Sequence, residues 1–146
     1  MVLDKPTDTE MPGAVEIFCG CAALTCELRR AGLNAIGLDY IKNKDKPIAK
    51  ATSLDLRAKW GQDALRKMIA DIKARLAWIA PPRGSATKAR EIRRAHGPDP
   101  KPLRSDYFPD GLPDLDVADM QRVSFANSLY KFTAELALEM AIAGID

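Results

Sequence analysis

Apolar positions along this chain come in short runs that alternate with helical spacings. The run at 15–19 suits a strand buried in a parallel sheet. Gly20 follows at once, where a sharp turn needs a residue without a side chain. Leu24, Leu28 and Ala31 recur at i, i+4 and i+7, one face of a helix. Gly32 closes that helix, and residues 34–38 read as a second strand with Asp39 at its tip. A basic connector, 40–50, has room for a short helical turn. Residues 51–56 predict a third strand with Asp55 near its end. Leu65, Met68, Ile69 and Ile72 predict a helix over 60–73. The fourth strand, 76–80, runs into Pro81 and Pro82.

From there to Pro113 the chain is rich in proline, glycine and charge and reads as a long loop. Asp116 then caps a helix over 116–143, with Asp119 in its first turn favouring the dipole. Phe125, Leu129, Phe132 and Leu136 form one apolar face of it, and Val117, Met120, Tyr130 and Ala137 lie near another. A helix apolar over so wide an arc needs cover on more than one side, so self-association through 116–143 is expected. Residues 1–13 read as a loose arm. The expectation is an α/β fold over 14–146, with parallel strands and flanking helices.

Composition narrows the class. At 146 residues the chain fits one domain, and 47% apolar content is enough for a core. No apolar run approaches the roughly 18 residues of a membrane span. Asp4, Asp8 and Glu10 argue against a signal peptide, so an intracellular protein is expected. Cysteines 19, 21 and 26 are odd in number and crowded into one βα unit, which is no disulfide framework. With His96 the only histidine, no metal site is expected. The net charge of +2 is unevenly spread: residues 83–104 balance to +5, and residues 105–146 to −6. The basic segment suits phosphate contacts, with Arg83, Lys88, Arg90, Arg93 and Arg94 as candidate nucleic-acid-binding residues; solvated charge or a role in self-association are the other readings.

A strand, tight turn, helix and second strand ending in an acid make the first βαβ unit of a nucleoside-binding sheet. Ligands of open α/β sheets sit outside the carboxyl ends of the strands. Four such ends are readable, at 18–20, Asp39, Asp55 and 81–83.

Residues 14–39 resemble the start of S-adenosylmethionine-dependent methyltransferases, most closely the DNA cytosine-5 methyltransferase type. The matching residues are Glu16, Ile17, Phe18, Gly20 and Leu24, with Ala22 and Ala23 where the family usually has glycines. The resemblance implies a Rossmann-like methyltransferase sheet that binds S-adenosylmethionine. It implies backbone contacts at Phe18, Cys19, Gly20, Cys21, Ala22 and Leu24 and a ribose held by Asp39. It further implies that Phe18 lies by the base, that Asp55 accepts from the adenine amino group, and that Tyr40, Leu56 and Pro81 complete the site. It covers 14–145, the front half of the family's domain, so the sheet is expected to be C-terminally incomplete.

The end of the fourth strand bears on activity. The family places Pro-Cys there, and its cysteine attacks C6 of cytosine. Here residues 79–90 resemble that segment with Arg83 at the nucleophile's place. A guanidinium stays protonated and is no nucleophile. The amino-methyltransferase signature, Asp/Asn-Pro-Pro-aromatic, is not met by Ala80 and Arg83. The expectation is a cofactor-binding protein without cytosine methylation. Two further classes stand beside it: a non-catalytic nucleic-acid or protein-binding module using loop 83–104, and an α/β enzyme using another nucleoside cofactor.

Overall fold

The strand β1 (Gly13–Ile17) is buried at every position, which places it in the interior of a sheet. The computed structural model describes residues 11–41 and 43–146. The loose arm expected over 1–13 falls almost wholly outside the described residues, and its last residue, Gly13, is already the first of β1. Along the chain follow α1 (Ala23–Arg30), β2 (Asn34–Asp39), β3 (Ala51–Ser53), α2 (Lys59–Asp71), β4 (Ala74–Ile79) and α3 (Val117–Ile142). A 3-10 turn lies at Lys88–Glu91.

All four strands are parallel, in the order β3-β2-β1-β4. The chain is therefore an α/β protein with a four-stranded parallel sheet and flanking helices. Parallel neighbours need crossover connections, and α1 and α2 supply two of them, α1 against β2 and β1 and α2 against β4. After β3 the chain crosses to the far side of β1, so the strand order reverses between β1 and β4.

Two compact units divide the chain. The first holds residues up to Ala80 together with Glu139–Asp146, and the second holds Pro81–Leu138. In the first unit Val15, Ile17, Leu38 and Leu65 are among the buried side chains of the core. The return segment joins this unit through two devices. Glu139 receives both Nε and Nη2 of Arg66 on α2 at 2.8 Å, which holds its carboxyl below the usual range. Asp146 donates its amide to the carbonyl of Arg75 (3.1 Å) and accepts from the amide of Ala77 (2.7 Å), a parallel bridge on the outer edge of β4.

Several boundaries differ from the sequence pattern. Strand β1 ends at Ile17 and not at residue 19, because Phe18 adopts a left-handed φ of 62°. Strand β3 is three residues long; Leu54 and Leu56 are buried just beyond it, in the turn that leads to α2. Over the described part of 40–50 no helix forms, and Asn43 N–H donates to the Tyr40 carbonyl at 2.9 Å. Helix α3 starts where Asp116 caps it, its Oδ1 accepting from the amide of Asp119 at 2.8 Å. Its buried stripe is Val123, Phe132, Leu136 and Met140, whereas Phe125, expected on the apolar face, is 51% exposed. Among the described residues no helix is long and apolar enough to cross a membrane.

Gly37 on β2 sits opposite Glu16 in the parallel register. A Cβ on Gly37 would lie 2.6 Å from Thr25 Oγ1 and 3.3 Å from Cys19 Sγ, so α1 approaches β2 only because that side chain is missing. We predict that Gly37→Ala lowers stability in urea unfolding by about 1–3 kcal/mol, the range of overpacking. Gly32→Ala meets nothing within 4 Å and suffers only from its φ of 88°, a loss of about 1 kcal/mol. Equal losses in the two variants would mean that the helix–sheet approach tolerates a methyl group.

Candidate functional site

Three short segments converge at the carboxyl ends of β1, β2 and β3. The β1 turn places left-handed residues at alternate positions, Phe18 (62°), Gly20 (53°) and Ala22 (57°). Glycine suits the middle one: its φ is left-handed and a Cβ there would stand 3.2 Å from Asp45 Oδ2, a contact that the aspartate side chain would have to relieve. The turn is held by Cys19 N–H to the Leu38 carbonyl (3.0 Å) and Ala22 N–H to the Cys19 carbonyl (2.7 Å). From the connector, Asn43 Nδ2 donates to the Gly20 carbonyl (2.8 Å) and Ile48 N–H to the Cys21 carbonyl (2.9 Å).

Asp39 faces this turn. Its Oδ2 accepts from Gly20 N–H at 2.7 Å and its Oδ1 from Tyr40 N–H at 2.6 Å. A carboxylate has roughly four acceptor sites, so these bonds orient Asp39 and leave it able to accept more. The residue is half-buried.

Glu16 plays a part that its sequence position did not announce. Its side chain is buried, and Oε2 accepts from both the amide (2.7 Å) and the hydroxyl (2.5 Å) of Thr25, itself fully buried. Thr25 is the third residue of α1, and the residue before the helix, Ala22, has no side chain to cap it. Glu16 therefore supplies from the sheet the carboxylate that usually caps a helix N-terminus. The readable signal was one acid inside a buried strand, since a buried charge needs partners.

At the end of β3 the Asp55 carboxylate is occupied. Oδ1 accepts from Arg57 N–H (3.0 Å) and Nε (2.9 Å), and Oδ2 from Nη2 (2.7 Å). The guanidinium lies 5.0 Å from the Tyr40 ring centroid, and Nη2 also donates to the Tyr40 hydroxyl at 3.1 Å. The Arg57 bonds hold the Asp55 carboxyl below its usual range, and Asp55 in turn raises Arg57.

Of the other residues expected to hold a cofactor, Cys19, Ala22 and Leu56 are buried. Phe18 and Leu24 are half-buried, Cys21 is exposed, and Tyr40 is 36% exposed. Phe18, Cys19, Gly20, Cys21, Ala22, Leu24, Asp39, Tyr40, Asp55 and Leu56 share the first unit, whereas Pro81 belongs to the second. A cavity of about 560 Å³ in the first unit lies at the opposite, amino ends of the strands, lined by Pro12, Asn34, Ile72 and Lys73 among others. It is remote in the sheet from Asp39 and takes no part in this site.

Within the second unit, Arg83, Lys88, Arg93 and Arg94 are exposed. Arg90 is different: Nε donates to the Gly84 carbonyl (2.5 Å) and Nη1 to that of Lys101 (3.2 Å), so it ties the loop to itself. Arg104 does the same through the Pro109 carbonyl (2.5 Å) and Ser85 Oγ (3.1 Å), with its guanidinium 5.5 Å from the Tyr130 ring centroid. The Tyr130 hydroxyl donates to the Pro82 carbonyl at 2.8 Å. In comparisons with known proteins, no family model, curated protein or solved structure matches this chain.

All three cysteines are free thiols. Burial pushes the Cys19 thiol up to about 11, with the Asp39 and Glu16 carboxylates adding to the effect. It stays protonated at neutral pH and is no nucleophile there. Its ordinary value is 9.0, so its share of stability is complete below pH 9.0 and is lost as pH rises toward 11. We predict a fall of roughly 2 kcal/mol over that window from this group. The fall shrinks by that amount in Cys19→Ala, measured by urea unfolding across pH. A thiol reagent should label exposed Cys21 first and buried Cys19 last, and the reverse order would contradict the burial.

Proposed function

We propose that this chain binds S-adenosylmethionine or its demethylated product at the carboxyl ends of β1, β2 and β3, in the manner of DNA cytosine-5 methyltransferases. One observation carries the reading against other nucleoside cofactors. A dinucleotide rests its pyrophosphate on the N-terminus of the first helix. Here the Glu16 carboxylate already occupies that position through Thr25, and Asp39 stands across the turn at Gly20. Two carboxylates repel a pyrophosphate and suit a ligand with cationic sulfonium and ammonium groups.

The fit extends to the remaining residues. Backbone at Phe18, Cys19, Gly20, Cys21 and Ala22, with Leu24, would line the methionine part. Asp39 would accept from the ribose hydroxyls through its remaining lone pairs. Phe18 and Tyr40 would lie against the base, and Leu56 would pack beneath it. When bound, the cofactor supplies an activated methyl group. At the place where the resemblance implies the attacking cysteine, the chain has Arg83, so we read it as a Rossmann-like methyltransferase relative without cytosine C5 chemistry.

A second reading rests on the second unit, where exposed Arg83, Lys88, Arg93 and Arg94 occur with exposed Phe108 and with Tyr107 at 92% exposure. Cations for phosphates and aromatic faces for bases are what single-stranded nucleic acid binding requires. The two readings are compatible, since they use different units.

The first is tested by titration calorimetry. S-adenosylhomocysteine should bind, and nicotinamide adenine dinucleotide should not. Asp39→Ala should weaken binding by about 1–3 kcal/mol, the worth of hydrogen bonds to a charged acceptor. Equal affinity in a folded Asp39→Ala variant would remove Asp39 from the site. For the second, anisotropy with a labelled oligonucleotide should show binding that falls with salt and weakens in Arg83→Ala. Salt-independent binding would count against phosphate contacts.

A further inference from the structure

We infer that the second unit holds a seat for a terminal phosphate, the monoester at the end of a single strand, in a hollow lined by Ser85, Thr87, Arg90, Glu91 and Arg104. The inference rests on the nucleic-acid reading above and is independent of the cofactor.

Both arginines are half-buried, and both lack a counter-charge. Arg57, Arg66 and Arg122 each pair with a carboxylate. Arg90 and Arg104 bond instead to neutral oxygens, the carbonyls of Gly84, Lys101 and Pro109 and the hydroxyl of Ser85. Among the described residues neither forms an ion pair. A guanidinium does not shed its charge, and charge withdrawn from water calls for an opposite charge. Nε of Arg104 is moreover buried without a hydrogen-bond partner. The fold therefore holds this side chain at a cost that a clamp for carbonyls alone does not require.

The hollow is also rich in donors. Nη2 of Arg90 takes no part in the bonds that tie Arg90 to the loop. Thr87 Oγ1 accepts from the amide of Ala89 and keeps its proton to give. The buried Ser85 hydroxyl accepts from Arg104 and does the same. Glu91 is exposed and pairs with neither arginine, so water screens its charge. The hollow measures about 30 Å³, room for about two oxygen atoms and too little for a base or a sugar. A phosphate fits by placing two of its oxygens inside. Charge then selects the kind of phosphate. A monoester carries about two negative charges at neutral pH and balances both guanidiniums, whereas a diester or a carboxylate carries a single one. Exposed Arg83, Lys88, Arg93 and Arg94 remain for the diesters of the strand that follows.

The test is fluorescence anisotropy of the full chain with an internally labelled single-stranded oligonucleotide. It is prepared with a phosphate at its 5′ end, at its 3′ end, or at neither. At least one phosphorylated form should bind about tenfold tighter than the form with neither, as charge-assisted pairing with two arginines allows. Inorganic phosphate should abolish that preference, and acetate at the same ionic strength should not. Arg104→Gln should bring all three forms within about threefold of one another while still binding them. Where thermal melting shows Arg104→Gln unfolded, Arg90→Gln takes its place. Equal binding of the three forms by the wild type overturns the inference and leaves the nucleic-acid reading intact. So does a preference that persists in the folded variant, or one that acetate abolishes as well as phosphate does. Binding of no form to the wild type overturns the nucleic-acid reading and this inference together.

Discussion

The first unit is organised around one buried carboxylate. Glu16 is the only charged residue on the central strand, and it is satisfied by the amide and hydroxyl of a single residue, Thr25. Those bonds fix the first turn of α1 over β1. The same Thr25 hydroxyl would stand 2.6 Å from a Cβ on Gly37, so the depth at which the helix sits is set from the other side by β2. Removing the carboxylate would leave two buried donors unpaired, each costing about 1–3 kcal/mol. The β1 turn, confined between this strand and this helix, bends through Phe18, Gly20 and Ala22 as it must to connect them. The chemistry of the site follows from the same group, since a helix N-terminus that already holds a carboxylate is a poor seat for phosphate.

The first βαβ unit was legible in the sequence because local signals agreed there. The helix and its end at Gly32 were legible, with Gly32 N–H on the Arg29 carbonyl and Leu33 N–H on that of Leu28, but its face was not: Thr25 is the buried residue, Leu24 and Leu28 are half-buried, and Ala31 is exposed beyond the last turn. Asp39 at the tip of β2 was legible for the same reason. The early end of β1 was not, because a left-handed phenylalanine follows from no local preference and is imposed by the turn. Strand β3 was overdrawn because Leu54 and Leu56 are buried without being in a strand, and burial is what an apolar run reports. Phe125 was misplaced because the apolar residues of α3 are spread around the helix among Arg122, Lys131, Glu135 and Glu139, so spacing gives no single preferred face. The grip of Arg57 on Asp55 is a contact between residues two apart that no spacing rule singles out.

Charge in the second unit was counted correctly but not assigned. In sequence, Arg90 and Arg104 look like the other cations of 83–104. In the fold they answer a shortage: a stretch rich in proline has few amide donors, and its carbonyls still need partners. Arg90 serves Gly84 and Lys101, Arg104 serves Pro109, and Asn127 Nδ2 serves Asp110 at 2.9 Å. The loop is thus held without strands by side chains reaching back to backbone carbonyls, and five of its seven cations, Arg83, Lys88, Arg93, Arg94 and Lys101, remain exposed.

The discontinuity of the first unit has a consequence for how the chain emerges during synthesis. Everything through β4 is synthesised before residues 81–138, and Glu139 follows Arg66 by 73 positions. Closing so long a loop is not expensive in itself, because each doubling of length adds only about 0.6 kcal/mol. The delay matters more. Until Asp146 arrives to bridge Arg75 and Ala77, the outer edge of β4 is a newborn strand carrying exposed Leu76 and Trp78, the kind of edge that nascent chains use to pair with one another. That edge is covered only when the last turn of α3 brings Glu139 to Arg66 and Asp146 to β4.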